Sequence, residues 1–515
     1  MSKEDKNEYF MKMKYIEPAL IFIFAAILFL KILGGSGAME SGYHFLDDHE
    51  LIRIEYSIVE NKQSVVSVMQ DLINNDLNAR FRPMYWVERV ACTAIFGSDL
   101  LYWNIYTAIQ GILTFYLLYY AARYLKFNWH ISLVFSGIII FGDQFVPWFR
   151  SANQENTGLL FCAFALWLIA RQCHAKKFSS ILYNGMICIG IIICGLIKES
   201  FVILMPAFIA LKFWLEYCYE SDTVGGKGIW KKCLKENIVT YGVICMAFFI
   251  NMYFLLFHVG VDKVSYAGFH EGTSLSQYYY GIRDSLRVYL KQYTWMGIML
   301  IIIIIVCYQV IEKKYWKKYL GFGIIGIYIM GTQLMSHAKS LMWERYIIPF
   351  IVGYAVVFVL LGYRILSKDK FRRKVYEGLL VVLLLTQVQK SYDLAKDYAW
   401  TGKLIQDYLQ CVLENTEESS VIIGAFSDAE LNLATSSWLE VRERTREYTY
   451  KWEEEVFYDS VQMAAVNQDV PTWEMADVAL CYTGQIGVIV EMMGINEGDG
   501  YKEYQFGGYA VVVRQ

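Results

Sequence analysis

The sequence predicts a polytopic α-helical membrane protein with a small α/β domain at its C-terminal end. Three observations predict this. The 515 residues are 56% hydrophobic and only 19% charged. Apolar runs of roughly 17–25 residues, the length that crosses a bilayer's hydrocarbon core, recur along most of the chain. Lysine and arginine gather in alternate connections between those runs, as short cytoplasmic loops do.

The runs lie near 16–33, 99–121, 129–147, 157–171, 180–197, 200–217, 237–258, 293–311, 319–336, 346–364 and 376–391, eleven spans in all. The first follows a lysine-rich start and lacks a small-residue cleavage site, so it reads as a retained signal anchor. With the N-terminus inside, six inner segments, from "KEDKNEYFMKMK" to "YRILSKDKFRRK", hold 24 basic residues. The expected placement is the plasma membrane, with a cytoplasmic N-terminus. An odd number of spans then puts the tail outside the cell. Residues 1–391 form the expected transmembrane domain and 392–515 the extracytoplasmic one.

Charge separates the same two regions. Residues 1–390 carry 39 basic and 28 acidic side chains, whereas 391–515 carry 8 and 22. An acidic tail argues against nucleic acid as its partner. The eleven cysteines show no CxxC or Cys/His ligand spacing. Most are read as small hydrophobes in or beside spans; Cys411 and Cys481 share the tail and are a candidate disulfide.

Three segments depart from a simple up-and-down pattern. In the first outer loop, 35–98, "ELIRIEYSIVE" and "SVVSVMQDLINN" space apolar residues three and four apart, as surface helices do. "PMYWVERVACTAIFG" adds a proline-led helix too short to span. The outer loop 259–292 combines glycines with a tyrosine run, the pattern of a mobile cover or of an interfacial anchor. In the tail, "GKLIQDYLQCVLEN" and "SSWLEVRERTREY" read as helices, and "VIIGAF", "VALCYT" and "YAVVVRQ" as buried strands.

Charged groups beside a bilayer are costly unless paired or functional. Those at span ends collect on the outer side: Asp47, Asp48, Arg82, Arg150, Glu155, Lys198, Glu199, His337, Lys339, Glu344 and Arg345. In "HFLDDHELIR", Asp47 fits a helix N-cap with Glu50 as its capping-box partner, which leaves Asp48 and His49 unexplained. A metal site there lacks a second ligand group at a defined spacing. In "CGLIKESFVILMP", Lys198 is either half of a local Lys–Glu pair that ends two spans or a point charge for a phosphate. Arg345, at a span entrance, is either snorkelling or binding.

Four stretches, in order, carry a resemblance. "FLDDHE" resembles the acidic pair in the first outer loop of protein O-mannosyltransferases and related bacterial sugar transferases. "GLIKES" and "ERYIIP" resemble two later elements of the same superfamily, and "FRSANQENTGLLF" is similar to an arginine-to-glutamate stretch in some bacterial members. The family is the GT-C class of integral-membrane glycosyltransferases, and the likeness runs over residues 1–350; Asp48 stands where many relatives have glutamate. The resemblance implies a polyprenyl-phosphate-linked sugar as donor and a glycan, cell-wall polymer, lipid or protein as acceptor. It implies an inverting displacement with Asp47 as base and Asp48 orienting acceptor or donor. Lys198, Arg345, Arg82 and Arg150 would then meet the donor phosphate, supported by His49, Glu155, Glu199, Glu344 and His337. The scheme needs no cofactor, with a divalent metal left open. A polysaccharide polymerase or ligase acting on lipid-linked glycans is the alternative.

Overall fold

The computed structural model of the chain describes residues 3–515 apart from 152, 176, 178–179, 224–227, 261–273, 293–315, 337–343, 367–368, 418–419, 427, 443–448, 453–472 and 496–499. The predicted span 293–311, residues 261–273 of the loop 259–292, and His337 and Lys339 lie outside the described residues; the rest of that loop is mostly a helix, Leu275–Gln292. The chain divides into two compact units. A helical unit comprises Met1–Gly35, Gln70–Val87 and Ile105–Leu394, and a sheet unit comprises Ser36–Met69, Glu88–Asn104 and Ala395–Gln515. The C-terminal part of the sheet unit begins at Ala395. The first outer loop is shared between the units because Tyr43, Phe45 and Ile52 are buried in the core around the C-terminal sheet.

Among the described residues of the helical unit, six helical spans are long and apolar enough to cross a membrane: Ile16–Gly34, Leu100–Tyr124, Gln154–Ala175, Glu199–Ser221, Ile238–Val259 and Arg345–Leu366. Shorter apolar helices run over Trp129–Ile140, Ile181–Ile197 and Leu320–Ser336. The expected single span 129–147 is corrected. Its helix stops at Ile140, Gly142 takes φ 120°, and a separate 3₁₀ turn follows over Asp143–Trp148. That backbone conformation is open to glycine and almost closed to other residues. The expected span 376–391 lies inside a 45-residue helix, Lys370–Glu414.

Small residues set how closely these helices pack. A Cβ added to Gly353 would lie 2.9 Å from the Gly326 carbonyl oxygen, and one on Gly326 3.1 Å from the Gly353 carbonyl oxygen. The helices Trp316–Ser336 and Ile348–Ala355 therefore meet backbone to backbone, as apolar helices do where side chains are absent.

The sheet unit holds five strands: β1 (Val421–Gly424), β2 (Thr449–Trp452), β3 (Val478–Tyr482), β4 (Tyr501–Phe506) and β5 (Tyr509–Arg514). Their order is β2-β1-β3-β5-β4, with β1 parallel to β2 and β3, and β5 antiparallel to β3 and β4. The period-two alternation of a strand decides the two faces. Ile422, Val478, Leu480 and Val511 join Tyr408, Leu409 and Leu439 on one face, while Ile423, Ala479, Cys481 and Val512 join Trp473 and Ile489 on the other. Cys411 and Cys481 are both free, buried thiols, in different core clusters because they serve opposite faces; the candidate disulfide is corrected. "SSWLEVRERTREY" is helical through Arg442, and its last six residues lie outside the described ones. β2 and β4 escape the sequence reading, although Gly507 (φ 61°) and Gly508 form the two-residue turn joining β4 to β5.

Gly326→Val should overpack the glycine crossing and destabilise the chain by roughly 1–3 kcal/mol. A lowered midpoint for heat-induced loss of the monodisperse detergent-solubilised protein checks this.

Candidate functional site

In the helical unit, the polar residues singled out from sequence collect where several helices begin. Helix Ile181–Ile197 ends at Lys198, whose extended backbone (φ −159°, ψ 142°) breaks the helix before the next starts at Glu199. The break turns two neighbours in sequence toward different partners. Lys198 pairs with Glu155, at the start of helix Gln154–Ala175, and both side chains are 1% exposed. Glu199 receives both arms of Arg80, each at 3.1 Å. The local Lys198–Glu199 pair considered from sequence is therefore replaced by two long-range pairs.

The cluster extends through aromatic and amide groups. The Lys198 ammonium lies 4.1 Å from the centre of the Tyr346 ring. Arg345 donates to the Tyr346 hydroxyl at 3.0 Å and to Asn153 Oδ1 at 3.5 Å, so it is held by protein groups. Arg82 grips Asp76 through two bonds of 2.9 and 3.2 Å and donates to Gln154 Oε1 at 3.0 Å. Among the described residues, Glu155 Oε2 and Arg150 Nε are buried polar atoms that make no hydrogen bond. Buried polar atoms are nearly always satisfied in folded proteins, by protein groups or by ordered water. Glu344 opens the short turn Glu344–Ile347 that carries Arg345.

Asp47, Asp48 and His49 belong to the sheet unit. Asp47 precedes helix Asp48–Val59 in the left-handed region (φ 68°, ψ −21°), and its carboxylate makes no capping bond. The expected capping box is thus absent, because this backbone turns the side chain away from the first helical amides. Glu50 pairs instead with Arg89. Asp48, 2% exposed, accepts the His44 backbone N–H at 2.9 Å, and the His44 ring stacks on Tyr398 with centroids 3.6 Å apart. The Asp47 carbonyl accepts from Arg89 Nη2 at 2.9 Å and from the Glu50 amide at 3.2 Å. A non-glycine residue held in this region stores roughly 1–3 kcal/mol of strain, which is tolerated where the surroundings fix it.

No protein-family model matches the chain, and no curated protein matches it either.

His49 is buried, and among the described residues its Nδ1 finds no hydrogen-bond partner. Burial lowers its pKa below the usual imidazole value; the carboxylates of Glu50 and Asp47 oppose the shift, and Arg89 and Arg53 add to it. Among the described residues no three His, Cys, Asp or Glu side chains gather as a metal-binding set. The sequence reading does not single out Arg80, Arg89, Asp76 or Tyr346. Of these, Arg80 carries a usable signal, since it and Arg82 flank Phe81 immediately before the helix-opening Pro83.

Two outcomes follow from this geometry. Removing one partner of a buried pair strands the other charge, so Lys198→Met should destabilise by roughly 3–5 kcal/mol, and Lys198→Met with Glu155→Leu by much less; thermal unfolding of the three proteins decides it. A His held neutral in the fold binds its proton first in the unfolded chain, at a pKa of about 6.5. Its contribution is complete above that pH and is lost as pH falls below it. Melting curves between pH 7.5 and 5.5 should therefore flatten in His49→Gln.

Proposed function

We propose that the chain is an integral-membrane glycosyltransferase of the GT-C class, acting at the extracytoplasmic face with a polyprenyl-phosphate-linked sugar as donor. The observation that carries the reading is the buried Lys198–Glu155 pair with its unsatisfied neighbours. A buried ion pair usually gives no more stability than apolar residues of the same size. Ionisable groups kept in such a setting, among helices apolar enough to cross a membrane, point to a role in binding or chemistry. Lys198, Arg345, Arg150 and Arg82 come from four separate stretches, and a phosphate carries the charge and acceptor oxygens that such donors match.

In the proposed reaction an acceptor hydroxyl attacks the anomeric carbon, and the bond from that carbon to the phosphate oxygen breaks. The configuration inverts, and the proton passes to a carboxylate. Asp47 takes the proton, as the resemblance implies. Its support is local: it is the less buried of the two aspartates, it spends no bond on capping, and its backbone is strained. Asp48, committed to the His44 amide, positions the segment. The cationic set stabilises the leaving phosphate, a kind of contact typically worth about 10²–10³ in rate per donor. Tail outside, N-terminus inside, and eleven spans complete the proposed topology.

The test is transfer from a polyprenyl-phosphate sugar in membranes of cells lacking the gene, complemented with wild type or variants. Asp47→Asn should lower transfer by roughly 10²–10⁴-fold, the usual contribution of a general base, with donor retention unchanged. Arg150→Gln should weaken donor retention. Full activity and full surface glycans in Asp47→Asn would overturn the assignment of the base. Unaltered donor retention in both Arg150→Gln and Arg345→Gln would overturn that of the phosphate set.

A further inference from the structure

Three helices that begin at the polar cluster also share a cavity at their other ends. Its volume is about 310 Å³, and Leu166, Ile169, Leu211, Leu215, Val356 and Leu360 form much of its wall. Lys126, His174 and Arg364 line it as well, with Tyr124 and Tyr219. Lys126 and His174 are exposed, so the charged side of the cavity is its mouth. Arg364 is anchored there: it donates to the Leu125 carbonyl at 2.7 Å, with its guanidinium 4.9 Å from the Phe127 ring centre. Among the described residues no carboxylate lines the cavity. An apolar interior with a cationic mouth is complementary to an amphiphile with an anionic head.

Helix geometry decides what kind of amphiphile. From Glu155 to His174, and again from Arg345 to Arg364, the chain advances 19 residues. At 1.5 Å per residue this is roughly 28 Å, close to the ~30 Å thickness of a bilayer's hydrocarbon core. If the polar cluster lies at one headgroup layer, the cavity mouth lies at the other. A soluble anion does not need the apolar interior, and a macromolecule does not enter 310 Å³. Basic pockets between membrane helices are a known mode of headgroup binding.

We infer that this cavity binds an anionic glycerophospholipid, one acyl chain among the leucines and the phosphate against Lys126, His174 and Arg364. The site is separate from the donor site proposed above and stands whether or not that reading holds. Its role is to fasten the bundle to one leaflet.

The test uses the full chain in nanodiscs of phosphatidylcholine with a minority of phosphatidylglycerol, followed by native mass spectrometry of retained lipid. Wild type should keep one phosphatidylglycerol in preference to phosphatidylcholine. Lys126→Gln, an exposed substitution, should reduce that preference about fivefold, the effect of one cation near a headgroup. Ala170→Phe should fill the cavity and remove the bound lipid with the cations intact. Equal retention of the two lipids would overturn the inference, as would a preference untouched by Lys126→Gln. A third arm adds polyprenyl phosphate; displacement of phosphatidylglycerol by it would assign the cavity to the prenyl carrier and overturn the glycerophospholipid.

Discussion

An ammonium group without water must be answered by the protein, and in this chain Lys198 is answered by Glu155. Much of the helical unit's polar end follows from that requirement. The helix before Lys198 has to stop, so that the lysine can leave the helical path. Glu199 is then turned elsewhere and takes Arg80. The ring of Tyr346 covers the ammonium, and the neighbouring Arg345 bonds to that tyrosine's hydroxyl. One desolvated charge thus organises stretches that lie between 43 and 148 residues from it in sequence. Such an arrangement contributes little net stability over apolar packing, which is why its presence argues for use.

The sheet unit handles acidic residues differently. Asp48 and Glu50 are spent on fixed partners, a backbone amide and a buried arginine, and these hold Asp47 in a backbone conformation it would not choose. Aspartate tolerates that region better than most residues because its short side chain can bond locally. Here it does not cap the helix. Division of labour between adjacent carboxylates, one holding and one held, gives the pair distinct chemistry although the residues are identical.

Local pattern made much of the fold legible. The amphipathic segments after the first span are helices because their three-and-four spacing demands one buried face, and 421–424, 478–482 and 509–514 are strands because short β-rich runs have few other options. What was not legible depends on distance or on backbone angle. Neither β2 nor β4 has a sufficiently apolar run, and each is defined by the neighbour it pairs with. The break at Gly142 hides inside an apolar stretch that scans as continuous. In the site, Lys198, Glu155 and Arg345, which stand out in sequence as charges at span ends, lie close together. Of the two alternatives for Lys198, the local Lys–Glu pair is the one that its extended backbone replaces with long-range partners. Asp47's positive φ leaves no trace in composition, so its capping role looked sound on paper.

The outermost strand of the sheet has one more implication. β4 presents Tyr501, Lys502, Glu503 and Gln505 to solvent, and among the described residues it pairs with β5 alone. In a bilayer, copies of one chain meet in two dimensions with their domains at the same height, which favours edge-to-edge joining far more than dilution in three dimensions does. Alternating charge and polarity on an edge strand disfavours such joining. The exposed Lys502 and Glu503 of β4 would work against such joining.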